Sequence, residues 1–345
     1  MAAQCRIQPG ALVSAVTQPT PTFAVGLGDI QQAHERIRDH IVRTPLLESA
    51  TLNDLFGARI LVKAECLQHA GAFKYRGACN RLLQLDEAQR RAGVVAFSSG
   101  NHALATSAVA RKLGIPASII MPADAPRAKI EGARANGAEV ILYDRQKDDR
   151  EAIGAEIAGR TGAVIVPPYD DPHIMAGQGT VGLEIVEQAD AAGARIDAVI
   201  AACSGGGLVA GVALAVKSLQ PDVAVYAGEP AGFDELARSL ASGQPESNAP
   251  GAQSICDALQ VVRPGKLTFP VNQHLLAGSL VVSDDDTRRA MKAAYQHLRL
   301  VVEPGGAVPL AALLAGRIEA RGKTVVLVLS GGNVDPAVYS DALNS

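Results

Sequence analysis

The stretch Gly71-Ala72-Phe73-Lys74-Tyr75-Arg76-Gly77-Ala78 places a single lysine where a helical pattern begins, between small and apolar neighbours. Most lysines carry a solvated charge on a flexible stem. Here Gly71 and Ala72 leave room for a large partner to approach and Phe73 is apolar, so water is displaced from the ammonium. A desolvated lysine loses its proton near neutral pH, and the free amine attacks a carbonyl carbon to form a Schiff base. That chemistry requires other residues to hold the carbonyl compound beside the amine.

An anion site is the first such feature. The strand-like run Ala198-Val199-Ile200-Ala201-Ala202 leads into Ser204-Gly205-Gly206-Gly207-Leu208, which opens an apolar helix through Gly211. Consecutive glycines let backbone N–H groups converge on a phosphate, and the helix N-terminus adds the positive end of its dipole. A plain strand-to-helix turn reads the same way. So does a dinucleotide site: Gly205-x-Gly207-x-x-Ala210 fits that fingerprint, and Glu229 follows the next strand where a ribose-binding acid belongs. Against a nicotinamide site, the unit lies mid-chain after several earlier βα units, and it leaves Lys74 unexplained.

Ser98-Ser99-Gly100-Asn101-His102-Ala103 follows the strand Val94–Phe97 and precedes an alanine-rich helix. Polar groups there are placed to hold a carboxylate, although alone the motif reads as an ordinary helix cap. Ser330-Gly331-Gly332-Asn333, after Val325–Leu329, is by itself a turn. Two longer runs accompany these motifs: Pro167–His173 with Ala176–Thr180, and Val302-Glu303-Pro304-Gly305-Gly306-Ala307.

Strand-like apolar runs alternate with helical periodicity nearly throughout. The strands expected are Ile60–Val62, Val94–Phe97, Ala117–Met121, Glu139–Leu142, Val164–Val166, Ala198–Ala202, Val223–Ala227 and Thr324–Leu329. Helical patterns fill the gaps, as in Asn101–Lys112, Arg127–Asn136, Arg150–Arg160 and Asp285–Leu298. The alternation predicts an α/β fold of parallel sheets covered by helices on both faces.

Taken together and in this order, the motifs resemble those of the fold-type II pyridoxal-phosphate enzymes, the threonine/serine dehydratase and serine racemase family, over roughly residues 30–336. The resemblance implies two parallel-sheet αβα domains with pyridoxal 5'-phosphate in the cleft. An N-terminal arm (1–28), a large cofactor domain (29–92 plus 164–345) and a small mobile domain (93–163) are expected. Lys74 would carry the cofactor beside Phe73, Ser204 to Leu208 would cradle its phosphate, Asn101 would bond its phenolic oxygen, and Ser330 would face its ring nitrogen. Ser98, Ser99, Asn101 and His102 would grip a substrate carboxylate. A neutral hydroxyl at Ser330 leaves the ring a weaker electron sink, which suits elimination.

The activity implied is loss of water from L-threonine or L-serine, giving a 2-oxo acid and ammonia. Racemisation and 3-hydroxyaspartate dehydration stay open. Ser99 stands where several dehydratases have alanine and racemases have serine, and its hydroxyl could reprotonate Cα opposite Lys74. Ala72 and Gly305 also depart from common threonine dehydratases. Glu229, Glu235 and the Phe233 carbonyl resemble a divalent-cation loop for Mg²⁺ or Ca²⁺, with glutamate at 235 where aspartate is expected; a solvated acidic turn explains the same residues. Asp284-Asp285-Asp286 reads as a capped acidic first turn. The absence of a regulatory extension after Ser330 suggests degradative use, and family habit suggests a homo-oligomer, dimer or tetramer.

At 345 residues the chain can bury a core in two lobes. A net charge of −3 with 3% aromatics and no tryptophan argues against nucleic acid and anionic membranes as partners. No secretory signal or membrane span is evident. Five cysteines without C-x-x-C spacing read as reduced thiols in a cytoplasmic protein; the family resemblance implies a small amino acid as its partner.

Overall fold

A computed structural model describes residues 22–345, so Cys5 and most of the expected N-terminal arm lie outside the described residues. Ten strands are formed: β1 (Leu46–Glu48), β2 (Arg59–Lys63), β3 (Val94–Phe97), β4 (Ala117–Pro122), β5 (Glu139–Tyr143), β6 (Val164–Ile165), β7 (Ala198–Ala202), β8 (Ala224–Pro230), β9 (Gly278–Val282) and β10 (Thr324–Val328). They make two sheets. One has six strands in the order β1-β2-β10-β7-β8-β9, the other four in the order β5-β4-β3-β6. All neighbours run parallel except β1 with β2.

Parallel strands covered on both faces read as unbroken apolar runs, and the central strands follow that rule while their side chains alternate. Ile60, Val62, Ile200, Val325 and Leu327 enter one core layer. Leu61, Val199, Ala201, Val326 and Val328 enter the opposite one. Each expected strand is present with ends shifted by three residues or fewer. The unforeseen β1 and β9 are edges, only partly buried, so the pattern of a fully covered strand is missing from them. The boundary expected at residue 163 falls just short of β6, whose Val164 and Ile165 pair with Val94 and Val95 in the small sheet.

Three helices bring the site together: Lys74–Leu83, Pro172–Ala191 and Gly207–Leu219. The middle one was not foreseen as a helix, because three glycines in 20 residues weaken helical propensity. Tertiary packing overrides that. A Cβ on Gly177 would lie 2.7 Å from the Gly77 Cα, and one on Gly211 would lie 2.6 Å from the Gly179 nitrogen. The central helix therefore meets both neighbours backbone to backbone.

A buried ionic cluster fixes the first of these crossings. Arg76 donates through Nε to Glu65 (2.7 Å) and through a terminal nitrogen to Glu184 (2.7 Å). Lys63 donates to Glu184 (2.5 Å), the Thr44 carbonyl (2.7 Å) and Gln188 (2.8 Å). All four charged side chains are fully buried. Burial pushes Lys63 below its ordinary pKa against the pull of Glu184. The same desolvation opposes Glu184's charge, but its contacts with Arg76 and Lys63 outweigh it and hold the carboxyl below the ordinary range.

The described cysteines, Cys66, Cys79, Cys203 and Cys256, are buried and free. Burial pushes the Cys203 thiol well above its usual pKa, so its position before the glycine loop does not make it a nucleophile. Among the described residues no helix is long and apolar enough to cross a membrane.

Gly177→Ala should destabilise the protein by about 1–3 kcal/mol, the usual cost of overpacking a tight contact. Urea denaturation measures this, and an unchanged midpoint would mean the two backbones do not touch.

Candidate active site

Ser98 follows β3, Ser204 follows β7, and Ser330 follows β10, so three polar loops leave the carboxyl ends of strands from both sheets. That is where ligands bind in open α/β folds. One cavity is lined by Phe73, Lys74, Ser98, Ser99, Asn101, His102, Ser204 through Leu208, and Ser330. The residues expected for cofactor and carboxylate thus meet in one place. Arg150, Tyr169, Asp257 and Glu303 also line it.

Lys74 begins its helix, and its Nζ donates to the Pro168 carbonyl at 2.6 Å. It lies 5.1 Å from the centre of the Phe73 ring. Desolvation pulls its pKa down to about 8, which moves an amine towards its nucleophilic form. The Phe73 amide donates to the Ser330 carbonyl at 3.0 Å, and Ala72 bridges to Gly331, so Lys74 and Ser330 are held across one short backbone contact.

The glycine loop is shaped by close approaches. Gly206 has φ +91°, and a Cβ there would lie 2.5 Å from the Asn272 side chain. Thr268 donates its hydroxyl to the Gly205 carbonyl at 2.5 Å, turning that oxygen away from an anion. The helix Gly207–Leu219 starts inside the cavity wall, and first-turn amides have no intrahelical partner. This loop could hold a phosphate.

On the opposite wall, the Ser98 hydroxyl accepts from the Gly100 amide at 3.1 Å, which leaves its proton available to donate. Ser99 Oγ has no hydrogen bond to protein among the described residues. His102 Nε2 lies 2.8 Å from the Val166 carbonyl. A carbonyl only accepts, so Nε2 carries the proton and the buried, unpartnered Nδ1 has none. Burial, with Lys74 nearby, pulls this ring's pKa down to about 3. The neutral ring offers an anion no donor, and its main-chain N–H in the first turn of the Asn101–Leu113 helix is what His102 can contribute.

Glu303 and Arg150 escaped the sequence reading. Glu303 was visible in a quoted run, but only the fold reveals its burial, its contact with the Asn101 amide and its unpartnered Oε2. Burial pushes its carboxyl up to about 7; Lys129 opposes this and Asp257 reinforces it. Lys129 itself pairs with Asp257 at 2.5 Å. The Arg150 guanidinium lies 5.4 Å from the Phe97 ring centre and has no carboxylate partner among the described residues.

The expected cation ligands lie outside this cavity. The Glu229 carboxylate accepts from the Leu236 and Ala237 amides at 2.8 Å each and from the Ser279 hydroxyl at 2.5 Å. Glu235 accepts from Asn248 at 2.5 Å through one oxygen, while its other oxygen is buried without a partner. Burial raises Glu229 to about 7 and Glu235 to about 8. Among the described residues no group of three or more His, Cys, Asp or Glu side chains is arranged to hold a metal.

The family model described as "Pyridoxal-phosphate dependent enzyme" matches residues 37–331. The chain belongs to that family. It is similar to serine racemase of Arabidopsis thaliana, with 41% identity covering 94% of this chain and 97% of the relative. It is equally similar, at 41%, to L-threo-3-hydroxyaspartate ammonia-lyase of a Pseudomonas species, covering 91% of this chain and 97% of the relative. The crystal structure of a threonine deaminase from T.th. superposes with a TM-score of 0.85 at 40% identity, covering 90% of this chain and 99% of that one. The two-sheet αβα architecture is that of fold-type II. The nicotinamide reading of Gly205–Ala210 is set aside: Glu229 caps a helix instead of facing the cavity, and the family is built on pyridoxal phosphate.

Cofactor-free protein should take up pyridoxal phosphate about tenfold more slowly for each pH unit below 8, because the neutral fraction of Lys74 falls by that factor. The rate should level off above pH 8. Stopped-flow absorbance checks this; a rate still rising tenfold per pH unit from pH 8 to 10 would remove the depressed pKa.

Proposed function

We propose that this protein removes water from a β-hydroxy amino acid of the L-serine or L-threonine type and releases a 2-oxo acid and ammonia. The observation that carries the reading is a buried lysine amine, bonded to a carbonyl and among the described residues to no carboxylate, in the same cavity as an anion cradle and a loop of hydroxyls. Relatives named as ammonia-lyases on hydroxyaspartate and threonine support it.

When bound, pyridoxal phosphate supplies an aldehyde for the substrate amine and a conjugated ring that accepts electrons from Cα. Ser204 to Leu208 would hold the phosphate end through backbone amides, Phe73 would flank the ring, and Ser330 would face its nitrogen. Asn101 would donate to the phenolic oxygen. Ser98 and the main chain of Ser99, Asn101 and His102 would hold the substrate carboxylate. Neutral Lys74 Nζ would remove the Cα proton, and the ammonium so formed would return it to the β-oxygen, which leaves as water as the Cβ–O bond breaks. The enamine product, once free, tautomerises and hydrolyses to the 2-oxo acid and ammonia. The four-stranded sheet carries the carboxylate loop, so its closing on the six-stranded sheet excludes water from the amine.

Two observations favour a second reading on the same site. Ser99 presents an uncommitted hydroxyl in the cavity, which suits reprotonation of Cα and hence serine racemisation. Arg150 offers an uncompensated charge, which suits a second substrate carboxylate and hence 3-hydroxyaspartate. Serine racemases and hydroxyaspartate ammonia-lyases are both among the relatives.

A panel of L-serine, L-threonine and threo-3-hydroxyaspartate, assayed for ammonia and 2-oxo acid with chiral analysis of the remaining amino acid, tests these assignments. Lys74→Ala should abolish every activity, and Ser99→Ala should remove racemisation while leaving elimination. Turnover by Lys74→Ala would reject the role given to this lysine.

We also propose that Glu229 and Glu235, with the Phe233 carbonyl, hold Mg²⁺ or Ca²⁺. The unpartnered buried oxygen of Glu235 and the mutual repulsion of the two carboxyls fit a cation there. After chelation, adding Mg²⁺ or Ca²⁺ should raise the melting temperature, and Glu235→Gln should abolish the rise. A melting temperature indifferent to both cations would eliminate the site.

A further inference from the structure

Asn101 is the polar residue of the cavity most completely gripped from outside its own loop. Its Nδ2 donates to Glu303 Oε1, and its Oδ1 accepts from Asn333 Nδ2 at 2.9 Å. Asn333 Nδ2 also donates to the Ala70 carbonyl at 2.8 Å. These partners settle which end of the carboxamide is which. A carboxylate oxygen accepts, the Asn333 NH₂ donates, and a flipped Asn101 would set oxygen against oxygen and nitrogen against nitrogen. One N–H of Asn101 is left uncommitted on a side chain that lines the cavity.

The backbone tightens this grip. A Cβ on Gly331 would lie 2.3 Å from Glu303 Oε1 and 3.1 Å from Asn101 Nδ2, so any side chain there would collide with the contact. The Glu303 amide donates to the Gly331 carbonyl at 3.0 Å, and the Gly332 amide donates to the Gly71 carbonyl at 2.9 Å. Ala70, whose carbonyl Asn333 holds, has φ +56°, a strained value for a residue with a side chain. The grip therefore reaches the segment that delivers Lys74.

The three residues come from opposite sides of the cleft. Asn101 follows β3 of the small sheet, whereas Glu303 opens the Pro304–Leu314 helix and Asn333 follows β10 of the large one. We propose that Glu303 and Asn333 are positioning residues that clamp the Asn101 carboxamide and fix its remaining N–H towards the bound cofactor, so that this donor is correctly set only while the small-sheet loop is docked. The inference rests on the reading of Asn101 as the partner of the cofactor's phenolic oxygen.

The mechanism makes no use of Glu303 as a proton carrier, and the clamp does not need one. Glu303→Gln keeps an oxygen that can accept from Asn101. Glu303→Leu removes the acceptor, and Asn333→Ala removes the donor.

The test is a mutant cycle read as the dissociation constant of pyridoxal phosphate for each variant, by equilibrium dialysis, with the absorbance spectrum of the bound cofactor recorded alongside. Circular dichroism and melting temperature report folding. Glu303→Leu and Asn333→Ala should each weaken binding about tenfold and shift the bound spectrum, whereas Glu303→Gln should stay within about threefold of the unaltered protein. In an Asn101→Ala background the same substitutions should add less than about twofold, because the group they act through is gone. If the losses multiply in that background, Glu303 and Asn333 act independently of Asn101 and the clamp is overturned. If Glu303→Gln is as damaging as Glu303→Leu, the acceptor role is overturned. Failure of the unaltered protein to bind pyridoxal phosphate would reject the cofactor reading and the clamp with it, whereas multiplying losses in a protein that binds reject the clamp alone.

Discussion

Two cations and two anions, buried together and paired, set the terms for everything around Lys74. Lys63, Glu65, Arg76 and Glu184 cancel one another's charge in a space where each alone would be costly. Such clusters contribute modestly as a whole, but loss of one member leaves an uncompensated charge at about 3–5 kcal/mol. The cluster therefore acts less as a source of stability than as a constraint on geometry. Arg76 lies two residues beyond Lys74 and reaches β2's end on one side and the Pro172–Ala191 helix on the other, so the turn that presents the amine has one allowed position.

The front of the same turn shows the opposite treatment of charge. Lys74 is given no carboxylate, only the Pro168 carbonyl and an aromatic neighbour, so burial works against its proton. A few residues apart, one cation is fully compensated and made inert while another is left uncompensated and made reactive. The carboxyls follow the same division. Glu65 and Glu184 are tied to cations, whereas Glu303, facing the cavity, is held near neutrality by burial.

Much of the site was legible in the sequence because its chemistry is local. A strand, a glycine run and a helix start are consecutive in the chain, so an anion cradle announces itself in a few letters. A lysine flanked by small residues and a serine–glycine–asparagine loop do likewise. Arg150 gave no such signal, and although Glu303 lies in the run Val302–Ala307, its burial and its contact with Asn101 come only from groups distant along the chain. The long central helix was hidden for a different reason. Its glycines lower its intrinsic propensity, and the contacts that demand them, Gly77 and Gly211, lie on other helices. Edge strands β1 and β9 lacked the two-sided apolar pattern by which the inner strands declared themselves.

The glycine crossings carry one further consequence. Where helices touch through bare backbone, their spacing is set by main-chain atoms alone, and no rotamer change can widen it. The interval between the amine and the anion cradle is in that sense a fixed ruler, since both hang from helices pinned to the same central rod. Residues elsewhere around the cavity are then free to vary what enters and which face of it meets a proton, without disturbing either anchor. Racemases and ammonia-lyases with one backbone in common are what such an arrangement permits.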